Sequence, residues 1–181
     1  MKKYCVFDGH CDTAIELWQQ NQELRHNTLA VSLERAERLG GYAQFFAFCT
    51  AWLKTRMPHT EHFARALDYF LEQLRENEER ITLCRTMAEA DAAMAAGRAA
   101  AFLAIEGAEA VREDPGLLEA AYEKGVRMVS LVWNLPNSLS GSCQTGEGLS
   151  EKGKDFFRRA QRLGMLVDVS HLSEKGFWDM A

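Results

Sequence analysis

Four residues of the 181-residue sequence have side chains that could bind a metal ion: His10, Asp12, Glu106 and His171. His10 and Asp12 flank Cys11, and in an extended chain residues i and i+2 point to the same side, so imidazole and carboxylate can converge on one cation. Glu106 directly follows a seven-residue apolar run, where a carboxylate needs a partner or a metal to offset its desolvation. Nitrogen and oxygen ligands of this kind suit zinc, and one glutamate can bridge two ions about 3.5–4 Å apart.

Each of these residues could also have a role that involves no metal ion. A lone His-x-Asp is a weak signal, Glu106 could be a surface acid at a strand end, and His171 could be a hydrogen-bonded core histidine. The combination is more specific, because all four residues follow apolar runs that read as strands. A second histidine pair, His59 and His62, falls at a predicted helix start, where the positive helix dipole disfavours cations, so we expect both on the surface without a metal role.

The elements that must position these ligands alternate between strands and helices. Apolar runs predict five strands, and the amphipathic stretches between them predict helices. Thr86 forms a capping-box pattern, helices start at Asp114-Pro115 and at Ser150, and Ser173 is a predicted N-cap. The predicted strands cover residues 4–7, 41–50, 99–105, 126–133 and 165–171. This rhythm is typical of a parallel α/β fold, either a doubly wound sheet or a (β/α)₈ TIM-type barrel. The absence of Gly-x-Gly-x-x-Gly after the first strand, together with ligands at carboxyl ends of strands, favours the barrel.

Composition limits the classes of function. Apolar residues make up 47% and charged residues 26%, which predicts one globular domain, and a net charge of −5 argues against a nucleic-acid partner. No stretch approaches the roughly 18 apolar residues of a membrane span, and the start leaves no room for a signal peptide, so we expect a cytoplasmic protein without membrane contact. Five widely spaced cysteines without a Cys-x-x-Cys pair predict neither a disulfide framework nor a zinc knuckle.

Motifs along essentially the whole chain resemble those of the membrane (renal) dipeptidase family, in order and spacing. They are residues 8–13 (DGHCDT), 104–108 (AIEGA), 148–150 (GLS) with Gly153, and 164–173 (GMLVDVSHLS). The resemblance implies a (β/α)₈ barrel with two zinc ions: His10 and Asp12 would bind one, His171 the other, and Glu106 would bridge both. It also implies hydrolysis of dipeptides through a bridging hydroxide, with some members accepting a C-terminal D-residue.

The sequence departs from the family pattern in two places. Many members carry a histidine that contacts substrate where Trp133 stands here, so Trp133 and Asn134 are the expected substrate-binding residues. The second histidine of the second zinc, a substrate-binding arginine and the acid/base aspartate of the family would lie beyond Ala181. We therefore expect residues 1–181 to be the N-terminal part of a single metallohydrolase barrel domain, with about five of eight β/α units and no activity alone.

Two alternatives remain open at this stage. One is another amidohydrolase-type metal-dependent hydrolase, although those carry His-x-His on the first strand, where this chain has Asp12 as the second residue. The other is an inactive truncated remnant in which the ligands persist without a complete site. The expected partners are a dipeptide substrate and, as an open alternative, a second copy of the chain in a homo-oligomer.

Overall fold

The computed structural model describes residues 4–53 and 56–181, and these ranges contain six β-strands and seven α-helices. The strands are β1 (Cys5–Cys11), β2 (Gly41–Cys49), β3 (Ile81–Leu83), β4 (Ala99–Glu106), β5 (Val126–Ser130) and β6 (Leu166–Asp168). The helices are α1 (Thr13–Gln20), α2 (Leu33–Ala36), α3 (His59–Glu76), α4 (Met87–Ala95), α5 (Pro115–Glu123), α6 (Glu151–Arg162) and α7 (Glu174–Met180). The strand pairs β1–β2, β3–β4 and β5–β6 are parallel, which confirms the predicted parallel α/β fold.

The described chain forms two compact units, and β4 runs through both. The first unit comprises Met1–Phe48 and Ala64–Leu103. Its strand order is β1-β2-β4, and β3 also pairs with β4. Aromatic side chains fill its core, with ring centroids 4.9 Å apart for Phe45 and Phe102 and 4.7 Å apart for Phe46 and Phe70. Burial of such large rings is the main favourable contribution to stability in this unit.

The second unit comprises Cys49–Phe63 and Ala104–Ala181. Its strand order is β4-β5-β6, with Val129 opposite Val167 and Ser130 opposite Asp168 in the parallel register. Helix α5 packs on β5 and α6 on β6. The carboxyl ends of these strands therefore lie along one edge of the sheet, where parallel α/β folds place functional residues.

Hydroxyl caps begin the helices where the sequence predicts them. The Ser150 hydroxyl accepts a hydrogen bond from the Gly153 amide at 3.0 Å, and the Ser173 hydroxyl accepts one from the Gly176 amide at 2.9 Å. These bonds satisfy amide groups that have no partner within the first turn of a helix. The caps fix the starts of α6 and α7 and confirm those predictions.

The strand bounds differ from the predicted ones in four places. β1 continues to Cys11 rather than ending at Phe7, and its register on β2 shifts between Asp8 and Cys11. The three-residue β3 was not predicted, because its length gives no detectable alternation. β5 ends at Ser130 rather than at residue 133, and β6 at Asp168, because the chain turns after each of these residues.

No helix in the two described ranges is both long and apolar enough to cross a bilayer.

Candidate metal centre

In the first unit, the end of β1 brings His10 and Asp12 together. The Nε2 atom of His10 lies 3.7 Å from Oδ1 of Asp12, while the intervening Cys11 is buried on the other side of the strand. Burial raises the pKa of the Cys11 thiol to about 12, so this sulfur stays protonated and is a poor metal ligand. The side-chain alternation predicted for the His-x-Asp motif is therefore present.

Asp12 also marks the start of α1, yet its side chain makes no capping hydrogen bond. Its Oδ1 atom is buried and has no hydrogen-bond partner among residues 4–53 and 56–181. A buried carboxylate oxygen without a donor is unfavourable unless a cation or a proton satisfies it. This oxygen is therefore suited to bind a metal ion.

In the second unit, Glu106 is the last residue of β4, and its side chain is only 11% exposed. The chain leaves the strand at Gly107, whose φ of +84° is strained for residues with a side chain. The Gly107 amide donates a hydrogen bond to the Ser130 hydroxyl at 2.9 Å, which ties this turn to the end of β5. The turn leads into a 3₁₀ helix, Ala108–Val111, and leaves the Glu106 carboxylate at the strand end.

His171 lies beside Glu106, and both of its ring nitrogens face oxygen atoms. Nε2 is 3.0 Å from Oε1 of Glu106, and Nδ1 is 3.1 Å from Oδ1 of Asn134. The strand predicted over residues 165–171 ends too late, because β6 stops at Asp168 and His171 does not continue its alternation. It lies in a turn three residues after the strand, with a left-handed φ of +66°, and this turn directs the ring to Glu106.

The expected substrate-binding residues lie next to His171. The rings of Trp133 and His171 have centroids 6.1 Å apart at an interplanar angle of 50°, and Asn134 contacts the His171 ring directly. Both residues belong to the segment after β5. Contact with a substrate stays a prediction for both.

Each ligand pair fits a zinc-like ion by atom type and spacing. Two ligand atoms on one tetrahedral zinc ion, each about 2.0–2.1 Å from it, lie roughly 3.3 Å apart. The separations of 3.0 Å in the Glu106–His171 pair and 3.7 Å in the His10–Asp12 pair lie close to this value. The roles of the four ligands in one binuclear site remain predictions.

A second glutamate close to the end of β4, the partly buried Glu109, was not identified from the sequence. Its Oε1 atom accepts a hydrogen bond from Asn137 Nδ2 at 2.8 Å, whereas Oε2 is buried without a hydrogen-bond partner in the described part of the chain. Burial raises the pKa of Glu109 above its usual value, and the hydrogen bond from Asn137 lowers it. The spacing Glu106-x-x-Glu109 could have indicated a second acid near the strand end.

The surface placement expected for His59 and His62 is wrong for His62. This residue is only 7% exposed, because the apolar face of α3 begins in the first helical turn and continues through Phe63, Ala66 and Leu67. Among the cysteines, Cys11, Cys49 and Cys84 are buried, whereas Cys5 and Cys143 are exposed.

Known proteins similar to this chain extend further than it does. A protein of Acinetobacter calcoaceticus from the 3′ region of PQQ-III is 29% identical and matches 96% of this chain over 65% of its own length. A metallopeptidase of Rhodobacter sphaeroides, solved with a phosphinate mimic of the dipeptide L-Ala-D-Ala, is 26% identical with a TM-score of 0.84. The match covers 99% of this chain and 62% of that one. The structure of a metallopeptidase described as dipeptidase AC is 29% identical with a TM-score of 0.83, over 99% of this chain and 60% of that one.

These similarities identify both fold and family. The two solved relatives confirm that the parallel α/β fold is part of a TIM-type barrel. The chain spans about three fifths of the length of these structures. A family model described as membrane dipeptidase, peptidase family M19, matches residues 1–181, and a metallopeptidase family implies a metal cofactor. The chain therefore belongs to the membrane dipeptidase family, peptidase family M19.

Proposed function

We propose that this chain is part of a zinc-dependent dipeptidase with a binuclear metal site. The observation that carries the proposal is the contact between Glu106 Oε1 and His171 Nε2, 3.0 Å apart at the carboxyl end of β4. The two ligand types are those of binuclear metallohydrolases, and the membership of peptidase family M19 supports the same reaction.

In this proposal the four ligands have distinct roles. His10 and Asp12 would hold one ion, His171 would hold the second, and Glu106 would be a ligand of both. When bound, the ions would supply Lewis acidity for the hydrolysis of the peptide bond. The side chains of Glu106 and His171 have low exposure, which strengthens their interaction with cations. The Oδ1 atom of Asp12 is buried as well.

The proposed substrate is a dipeptide, including one with a C-terminal D-residue. The metallopeptidase of Rhodobacter sphaeroides was solved with a mimic of L-Ala-D-Ala, and this supports a similar substrate here. Trp133 and Asn134 are the proposed substrate contacts, because both lie against His171. A single barrel domain, a cytoplasmic location and a homo-oligomer stay predictions.

The proposal is tested with the gene product as encoded, including any sequence that adjoins these 181 residues. The protein is stripped with a chelator, reloaded with zinc, and assayed on L-Ala-D-Ala and L-Ala-L-Ala. We expect hydrolysis of at least one dipeptide, its loss after chelation and its recovery with zinc. Hydrolysis that is insensitive to the chelator, or no hydrolysis of any dipeptide by the zinc-loaded protein, would contradict the proposal.

A further inference from the structure

The hydrogen bonds of His171 are unusual because both ring nitrogens face acceptors. A neutral imidazole has one N–H, but its Nδ1 lies 3.1 Å from Asn134 Oδ1 and its Nε2 lies 3.0 Å from Glu106 Oε1. We propose that Asn134 is a positioning residue that holds the proton of His171 on Nδ1 and so presents the Nε2 lone pair to a metal ion. This inference rests on the proposed function, since it takes His171 as a metal ligand.

The assignment follows from the chemistry of the two acceptors. The amide oxygen of Asn134 can only accept a hydrogen bond, so the contact with Nδ1 is favourable when Nδ1 carries the proton. Nε2 then faces the Glu106 carboxylate with a lone pair, and a cation bound by both atoms removes this repulsion. Metal-binding histidines commonly donate their second ring N–H to an oxygen acceptor, which fixes ring orientation and tautomer.

The backbone around both partners is fixed by two neighbouring residues. The Ser142 hydroxyl donates a hydrogen bond to the Asn134 carbonyl oxygen at 2.7 Å, and the Cys143 amide donates one to the His171 carbonyl oxygen at 2.8 Å. Ser142 is fully buried and also pairs with Leu172 in an antiparallel bridge. Because residues 142 and 143 hold the two backbones together, the Asn134–His171 contact is built into the second unit.

A purely substrate-binding role for Asn134 predicts a different outcome. Its side-chain oxygen is engaged by His171, so only its NH₂ group remains for a substrate. Loss of a substrate contact would raise KM and leave zinc affinity unchanged. Loss of a positioning contact would lower zinc affinity, typically by about 10–100-fold.

The test compares Asn134→Leu, which removes the acceptor, with Asn134→Asp, which keeps an oxygen acceptor at the same place. Zinc affinity of the gene product as encoded is measured by competition with a chelator, without substrate. We expect Asn134→Leu to weaken the binding of zinc by about 10–100-fold and Asn134→Asp to restore it to within a few-fold of wild type. Leu135→Ala, at the exposed residue that follows Asn134, is the matched control and should leave zinc affinity unchanged.

A second readout needs no variant. Proton–nitrogen correlation NMR of the zinc-loaded wild type reports which ring nitrogen of His171 carries the proton. We expect it on Nδ1; a proton on Nε2, or unchanged zinc affinity in Asn134→Leu, would overturn the inference. A wild type that binds no zinc would contradict the proposed function and the inference with it, whereas the two preceding outcomes contradict the inference alone.

Discussion

The two ligand pairs have similar chemistry but different surroundings. His10 lies on β1 and Asp12 directly follows the strand, two residues later, and their side chains are 43% and 44% exposed. Glu106 and His171 lie 65 residues apart, and their side chains are 11% and 28% exposed. Strand geometry suffices to bring the first pair together, whereas the second pair depends on the turn at Gly107, the turn at His171 and the contact with Asn134.

Glu106 and His171 therefore form the more strongly preorganised pair. Its atoms have little freedom before a metal binds, because burial and hydrogen bonds fix them. The side chains of the first pair are more exposed, and we expect them to adopt one fixed conformation only when an ion binds. Substitutions in the second pair should therefore affect both catalysis and stability. Substitutions in the first pair should mainly affect metal binding.

The largest expected effect is that of Glu106→Gln on activity. The substitution keeps the size of the side chain but removes the charge that the proposal assigns to both ions, so kcat/KM should fall by about a thousandfold or more. His171→Ala should cost less, because it removes a ligand of one ion, and elemental analysis should find zinc reduced in both variants.

The matched control is Glu119→Gln on α5, which removes the charge of a partly exposed glutamate paired with Arg159. Its kcat/KM should stay within about twofold of wild type, as expected for a surface position. Retention of two zinc ions per chain by Glu106→Gln would remove its bridging role.

A smaller effect is expected on the stability of the metal-free protein. His171→Ala removes the ring that contacts both Glu106 and Asn134, so the free energy of unfolding should fall by about 1–2 kcal/mol. His10→Ala should change it by less than about 0.5 kcal/mol, because the His10 side chain is 43% exposed. Chemical denaturation of both variants measures the difference, and equal losses would contradict the contrast between the two pairs.

The smallest effect concerns Glu109, a partly buried acid of the second unit to which no metal role is assigned. Burial raises the pKa of Glu109 in the folded state, so its ionisation destabilises the fold as the pH rises from the unfolded pKa through the folded one. Glu109→Gln keeps the acceptor for Asn137 and should stabilise the protein at pH 7 relative to wild type, with a smaller gain at pH 4. Denaturation at the two pH values checks the sign, and a larger gain at pH 4 would contradict it.

The sequence predicts local geometry better than tertiary geometry in this chain. The His10-x-Asp12 pair follows from strand alternation, even though β1 ends four residues beyond the apolar run that predicted it. The helix caps at Ser150 and Ser173 follow from short-range hydrogen bonding in the same way. The contact between His171 and Glu106 depends on a left-handed turn that no apolar pattern encodes, and the membership in a known family supplied it instead.

Anomalous diffraction tests directly whether the two pairs hold one binuclear zinc site. Crystals of the zinc-loaded gene product, measured on both sides of the zinc absorption edge, would locate each ion without assumptions about ligands. We expect two peaks about 3.5–4 Å apart, with Glu106 contacting both, His10 and Asp12 at one and His171 at the other. A single peak, or a pair of peaks that Glu106 does not bridge, would contradict it.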